Sequence, residues 1–252
     1  MPTTTSEIDG RWFRRFQQAG PEAVRLVCFP HAGGAASYYF PLARALAPEV
    51  EVYAVQYPGR QDRRREPCYE DIAPLADAVT DVMHGLSGRP YAFFGHSMGA
   101  IVAFEVALRL QTRLAPGPVR LFASGRRAPS TLRSETVHRR GDTELVEELI
   151  RLGGTDRRSM ENEEIRDMTL PPTRADYTAI ETYRFAAGSP RLECPVTVFH
   201  GAADPYTTPA EIAAWAEHTA AEPDTHEFPG GHFFLDTSRD RLVSLIRGAL
   251  EP

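Results

Sequence analysis

The sequence predicts an α/β fold, a mostly parallel sheet covered by helices on both faces. Short apolar runs rich in valine, phenylalanine and tyrosine alternate along the chain with segments whose apolar residues recur at helical spacing, the pattern that parallel strands joined by crossover helices require. With 252 residues and 42% apolar content, there is enough chain to bury one sizeable core without support from disulfides or metal. No internal repeat or low-complexity tract breaks the alternation into separate domains.

In chain order, VRLVCF (24–29) is the first strand candidate and runs into the glycine-containing loop Phe29-Pro30-His31-Ala32-Gly33-Gly34. VEVYAV (50–55) is the second. Ile72, Leu75, Val79, Val82, Met83 and Leu86 then form a helical stripe,. YAFF (91–94) reads as a buried strand, followed after a tight turn by a helix carrying Ile101, Val102, Glu105, Val106, Leu108 and Arg109. VRLFAS (119–124), VTVFH (196–200) and THEF (225–228) are the remaining strands. Thr208-Pro209-Ala210-Glu211 joins a capping box to a proline at the first helical position, so a helix starts there,. Leu242, Leu245, Ile246 and Leu250 mark the last helix.

The alternation fails between about Arg126 and Pro190, a polar, charge-rich stretch. Leu145, Leu149 and Leu152 nevertheless share a helical face that closes at Gly153-Gly154, and Tyr177, Ile180 and Tyr183 suggest another helix,. A structureless loop of this length is improbable inside a domain, so the segment reads as an inserted helical lid within a single domain spanning residues 1–252. Lids of this kind cover active sites and select substrates. The bland alternative is a small helical decoration without a gating role.

Chemistry enters at Gly95-His96-Ser97-Met98-Gly99. A bare G-x-S-x-G arises by chance in roughly one chain in ten or twenty of this length, given glycine usage of about 7%, so its context decides. Here it lies between a strand and a helix, the order in which a serine is bent into a nucleophile elbow. Glycines at 95 and 99 suit a strained turn where the two backbones approach too closely for side chains. In α/β-hydrolases the acid and then the histidine follow the serine along the chain. Asp204 follows VTVFHGAA, and His232 sits in a glycine-rich loop after the last strand, where its ring can reach back across the sheet edge. Asp204 would accept from the imidazole N–H and fix its tautomer; Asp236 is the next candidate by position. The oxyanion hole needs two backbone N–H groups. Met98, directly after the nucleophile, offers one, and Ala32, in the loop after the first core strand, offers the other. His200 and His218 read as structural. Histidine and cysteine spacing fits no metal site.

The formal net charge of −6 argues against general nucleic-acid binding,. Every basic residue other than histidine is arginine, which reads as a compositional bias. Three cysteines without C-x-x-C spacing point to a reducing compartment,; Cys28 falls in a strand, and Cys68 and Cys194 read as incidental. The N-terminal MPTTTSEIDGRW has no apolar signal region, and no stretch approaches a membrane span,. A soluble, cytoplasmic monomer is expected.

FPHAGG (29–34), QYPGRQDR (56–63), FGHSMGA (94–100), RLGGT (151–155), LPPTRADY (170–177) and GGHFFL (230–235) resemble the motifs of type II thioesterases, the stand-alone editing enzymes of polyketide and nonribosomal peptide synthesis. The resemblance runs from about Trp12 to Leu250. It implies an α/β-hydrolase fold, a triad on Ser97, Asp204 and His232, and oxyanion donors at Ala32 and Met98. It also implies hydrolysis of acyl groups from the phosphopantetheine arm of acyl or peptidyl carrier proteins, with no bound cofactor, since the pantetheine arrives on the substrate. Thr173 departs from the family, which tends to carry leucine there. Two arginine groups, Arg60, Arg63, Arg64 and Arg65, and Arg126, Arg127, Arg139 and Arg140, are candidate surfaces for an acidic carrier protein, although a charge run is more often a solvated face. The rival readings are another hydrolase of this fold, a carboxylesterase or acyltransferase, and a non-catalytic binding module on the same scaffold.

Overall fold

Seven strands form one sheet in the order β1-β3-β2-β4-β5-β6-β7, as seen in a computed structural model that describes residues 8–86, 88–113 and 115–251. The part of the N-terminal reading that falls on residues 1–7 lies outside the described residues. Strands β2 (Val24–Phe29), β3 (Val50–Val55), β4 (Tyr91–His96), β5 (Leu121–Ser124), β6 (Val196–Gly201) and β7 (Asp224–Phe228) are parallel. All six were expected from the sequence, with ends displaced by up to two residues. Strand β1 (Phe13–Arg15) was not; it pairs antiparallel with β3, Phe13 opposite Val55. Three residues of mixed polarity at a sheet edge are too short to show a period.

Central strands β3, β4 and β5 are buried along their whole length, as strands covered on both faces must be. Their side chains alternate between two cores. Val27, Phe29, Tyr53, Val55, Tyr91 and Phe93 face one; Leu26, Cys28, Val52, Ala54, Ala92 and Phe94 face the other. Helices α2 (Ile72–Val82) and α3 (Met98–Thr112) cover the first. Helix α1 (Phe40–Leu46) and the last helices of the chain, described below, cover the second. Helix α3 is buried on nearly all sides, which is why its apolar stripe in the sequence is so broad.

Between β5 and β6 lie α4 (Asp142–Leu152), α5 (Arg157–Glu161) and α6 (Glu163–Thr182). Helix α4 ends at Gly153 with φ +85°, a left-handed stop that glycine adopts without steric cost. Tyr177 and Ile180 lie in α6 as expected, and Tyr183 caps it, but the helix starts far earlier and runs through Pro171 and Pro172. Val137, Leu145, Leu149, Leu170 and Tyr177 form a small separate core, and Ala32 packs on it. The helices over residues 142–182 thus rest on the loop that follows β2. After β6 come α7 (Pro209–Ala213), whose capping box at Thr208 is formed, then α8 (Phe234–Thr237) and α9 (Arg239–Leu250). None of the described helices is long and apolar enough to cross a membrane.

Candidate active site

Ser97 follows the last residue of β4 and precedes the first of α3, with φ 55° and ψ −118°. For a non-glycine residue this is a strained conformation that persists only where its surroundings enforce it. They do so from two sides. The Ser97 N–H donates to Ser124 O of β5 at 2.8 Å, and a Cβ on Gly99 would run into the carbonyl oxygen of Phe29 at the end of β2. A Cβ on Gly95 would meet Ala100 Cα at 2.6 Å and Gly99 O closer still. The two glycines therefore let helix α3 start directly against its own strand and the neighbouring one.

His232 and Asp204 meet through Nδ1 and Oδ2 at 2.9 Å, with relative exposures of 4% and 5%. The other carboxylate oxygen, Oδ1, accepts the Tyr206 N–H at 2.9 Å, so both acceptor atoms are engaged. The loops that carry the two residues are fastened to each other: Ala202 N–H donates to Phe228 O at 2.8 Å and Ala203 N–H to Gly230 O at 2.9 Å. Gly201 lets them close, because a Cβ there would meet Gly230 O at 2.8 Å and Gly231 O nearer. Asp236, the reserve candidate for the acid, instead accepts from the Tyr38 hydroxyl at 3.1 Å.

Ser97 and His232 line one cavity, partly open to solvent, with His31, Ala32, Gly33 and Phe233, and its far wall comes from α4, α6 and the segments beside them. Met98 opens helix α3 and is fully buried. Its N–H belongs to the first turn, where helix amides have no partner within the helix. Two more histidines crowd His232. The His96 ring lies 4.9 Å from it, centroid to centroid, and His31 lies 6.0 Å from His96. Burial first, then the charge His232 and Arg60 can present, lowers the His31 pKa to about 3. Burial chiefly holds His96 well below its ordinary value as well. Both rings are therefore neutral at pH 7, and among these three imidazoles only His232 has a carboxylate partner.

What holds the loop containing Ala32 could not be read from the sequence. Gly33, at φ +75°, donates its N–H to Asp176 Oδ2 at 2.8 Å. Asp176, on α6, is also gripped in two-pronged fashion by Arg60, at 2.6 and 2.9 Å. Arg60 in turn donates to Gly34 O at 3.0 Å and to Pro58 O at 3.1 Å. Burial alone would lower the Arg60 pKa, but the Asp176 charge and hydrogen bonds raise it above the ordinary arginine value. The pair lies 116 residues apart in sequence, inside two of the quoted motifs, and no local pattern could have matched its halves. Thr173, the departure from the family pattern, is fully buried on the same helix face, and its Oγ1 would lie 2.5 Å from a Cβ on Gly33.

The arginine groups require a correction. Arg60, Arg63, Arg126 and Arg127 are buried and cannot meet a partner protein. Arg63 pairs with Glu66 at 2.6 Å and lies 4.2 Å from the Trp12 ring centroid; Arg127 forks onto Glu135 at 3.0 and 2.6 Å. Only Arg64, Arg65, Arg139 and Arg140 face solvent. Neighbours in a sequence run thus point to different partners, because the run crosses turns.

The sheet order, the crossover helices and a serine elbow at the carboxyl end of β4 define an α/β-hydrolase. The chain belongs to the thioesterase-domain family, whose model matches residues 24–250. It is 50% identical to the probable cadicidin biosynthesis thioesterase of Streptomyces griseus, over 99% of this chain and 69% of that one. It is 46% identical to thioesterase PikA5 of Streptomyces venezuelae, over 90% of this chain and 81% of that one. Among solved structures, the type II thioesterase BorB from the borrelidin biosynthetic cluster superposes with a TM-score of 0.89 at 45% identity, covering 96% of this chain and 98% of that one. The thioesterase RedJ of the prodiginine pathway in Streptomyces coelicolor gives 0.84 at 43% identity, covering 91% and 87%. The resemblance read from the motifs is borne out.

Asp176→Ala strands a buried guanidinium, so urea denaturation should show a loss of roughly 3–5 kcal/mol. Replacing both partners with apolar residues, Arg60→Met with Asp176→Leu, should restore much of that stability. Turnover should stay low in the double variant, because the 31–34 loop has lost its anchor. Recovery of stability and turnover together would show that the pair serves packing alone.

Proposed function

We propose that this protein is a stand-alone type II thioesterase. It hydrolyses acyl thioesters on the phosphopantetheine arm of acyl or peptidyl carrier proteins and clears aberrant or stalled groups in polyketide or nonribosomal peptide synthesis. Ser97 is the nucleophile, His232 the base, Asp204 its orienting carboxylate, and Ala32 and Met98 the oxyanion donors. The observation that carries this reading is the buried His232–Asp204 hydrogen bond of 2.9 Å, beside a serine at positive φ on the same cavity, in a chain of the thioesterase family. The names of two solved relatives, which place them in NRPS/PKS pathways, support the pathway. The enzyme works in the cytoplasm, where such synthases assemble their products.

In the proposed cycle Ser97 Oγ attacks the thioester carbonyl carbon while its proton passes to His232 Nε2. Charge developing on the carbonyl oxygen is met by the N–H groups of Met98 and Ala32. The C–S bond then breaks and the proton on His232 Nε2 passes to the departing thiolate; a thiol leaves far more readily than an amine, so this acid assistance matters less here. Water, deprotonated by His232, attacks the acyl-serine; the C–Oγ bond breaks as the proton returns from His232 to Ser97, releasing the free acid. Asp204 keeps Nδ1 protonated throughout, so that Nε2 faces the serine.

Ser97→Ala should fold normally and lose turnover and labelling by a fluorophosphonate. Asp204→Asn should lower kcat on the order of 10³–10⁴-fold with little change in stability. Retained turnover in the first variant would remove Ser97 as nucleophile, and a small effect in the second would remove Asp204 as orienter.

Docking of an acidic carrier falls to the exposed arginines alone. Acyl-carrier substrates should show higher kcat/KM than the same acyl group on CoA, and the advantage should shrink with salt as the Debye length falls below about 8 Å. Comparing charge reversal at Arg64 and Arg65 with reversal at Arg139 and Arg140 assigns the surface; insensitivity to salt and to both reversals would refute electrostatic docking.

Helices α4 to α6 act in this reading as a lid over the cavity. Their amides should exchange faster than those of β4 and β5 and slow when an acyl-pantetheine analogue binds. Exchange that the analogue leaves unchanged would make them a fixed wall.

A further inference from the structure

Of the four arginines buried among the described residues, three have a carboxylate: Asp176 for Arg60, Glu66 for Arg63 and Glu135 for Arg127. Arg126 has none. Its exposure is 7%, its Nε is buried without a hydrogen-bond partner, and among the described residues its side chain forms no ion pair. The backbone beneath it is firmly held. Gly125 N–H donates to Phe199 O at 2.8 Å, and Arg126 O accepts the Trp215 indole N–H at 3.0 Å. Two residues upstream, Ser124 O receives the N–H of Ser97. Arg126 therefore leaves the sheet edge beside the nucleophile, and its side chain lines the same cavity as Ser97 and His232.

The carboxylates around that cavity are committed elsewhere. Glu135 is taken by Arg127 through both oxygens. Glu181 accepts the N–H groups of Val137 at 2.9 Å and His138 at 3.0 Å, and the His138 ring as well. Burial, and after it the charge of Arg127, lowers the Arg126 pKa to about 9, so the group is still a cation at neutral pH. A buried cation without a partner is costly. Its planar fork of N–H donors matches an oxygen acceptor brought by a ligand. A plain alkyl chain would cover it and return nothing.

We propose that Arg126 is a specificity-determining residue that receives an oxygen carried on the acyl chain beyond the thioester carbonyl, so that the cavity favours oxygenated acyl groups over saturated ones. This rests on the thioesterase reading. Thr155, Thr169 and Tyr177 on the same wall add hydroxyl groups, while those of Thr173 and Tyr206 are donated to Thr169 O and to Glu148. The acceptor is a neutral carbonyl or a carboxylate, and both satisfy the same fork.

The test compares butyryl, 3-oxobutyryl and malonyl groups on one carrier protein. At least one oxygenated group should exceed butyryl in kcat/KM by roughly ten- to a hundredfold, the worth of a hydrogen bond to a charged group. A malonyl preference identifies the acceptor as an anion, a 3-oxobutyryl preference as a neutral oxygen. In Arg126→Met the ratio should fall towards one. A second measurement needs neither turnover nor the variant: calorimetric binding of the pantetheine amides of the three acids to the wild-type protein should rank them in the same order. If no thioester is cleaved, the enzymatic reading fails and the binding order alone decides the role of Arg126. Equal binding of the three amides would overturn the proposal. So would a kcat/KM ratio that survives in Arg126→Met, including an equal fall for all three substrates, which would assign Arg126 to the shared pantetheine arm or to packing.

Discussion

The buried ion pair between Arg60 and Asp176 ties together three parts of the chain that share no sequence neighbourhood. The turn after β3 supplies the guanidinium, α6 supplies the carboxylate, and the loop after β2 supplies an N–H and a C=O that complete the cluster. Such a pair contributes little net stability, because desolvation consumes most of the attraction. What it does supply is direction, since a two-pronged guanidinium–carboxylate contact tolerates little rotation. The amide of Gly33 is aimed at Asp176, which sets the orientation of the peptide units on either side of it, including that of Ala32. The position of the helices over residues 142–182 and the shape of the loop beside Ser97 are thus one problem with one solution.

The elbow obeys the same logic by a different means. A non-glycine residue at positive φ costs on the order of 1–3 kcal/mol, and Ser97 is kept there by β5 on one side and by the close approach of α3 to β2 on the other. The site is rigid at Ser97 because backbone meets backbone there. At the His232–Asp204 end, rigidity comes from cross-loop hydrogen bonds above Gly201. Three neighbouring strands, β4, β5 and β6, end in this small region, so the order of the sheet alone gathers the serine, Arg126 and the acid.

What could be read from the sequence was what is local. The central parallel strands carry near-continuous apolar runs because both of their faces are covered. The capping box at Thr208 is complete within four residues, and the order of serine, acid and histidine follows the strand ends. The missed features are those made by distance or brevity. Strand β1 has three residues, and its reason to exist lies in Trp12 and Phe13 packing on a core built from elsewhere. Helix α6 begins well before its apolar stripe, because its first turns are largely exposed and its prolines hide the period. Arg60 and Asp176 are single residues whose meaning appears only when the chain has folded. Buried arginines could not be told from exposed ones, since adjacency in sequence says nothing about which side of a turn a side chain leaves.

The basic residues supply a further link between composition and mechanism. Lysine is a point charge on a flexible stem, whereas arginine offers a planar fork that can hold a carboxylate and a backbone carbonyl at once. Arg60 does this between α6 and the loop after β2, and Arg133 does it between Glu211 and the carbonyl of Pro205, at 3.0 Å to the latter. A chain whose only long basic side chain is arginine can therefore use its cations as connectors in the interior while its surface stays net acidic. Against that background Arg126 stands out by its lack of a partner. Among the described residues, every other buried guanidinium spends its fork on the fold, whereas Arg126 lines the cavity that holds Ser97 with its Nε unpartnered.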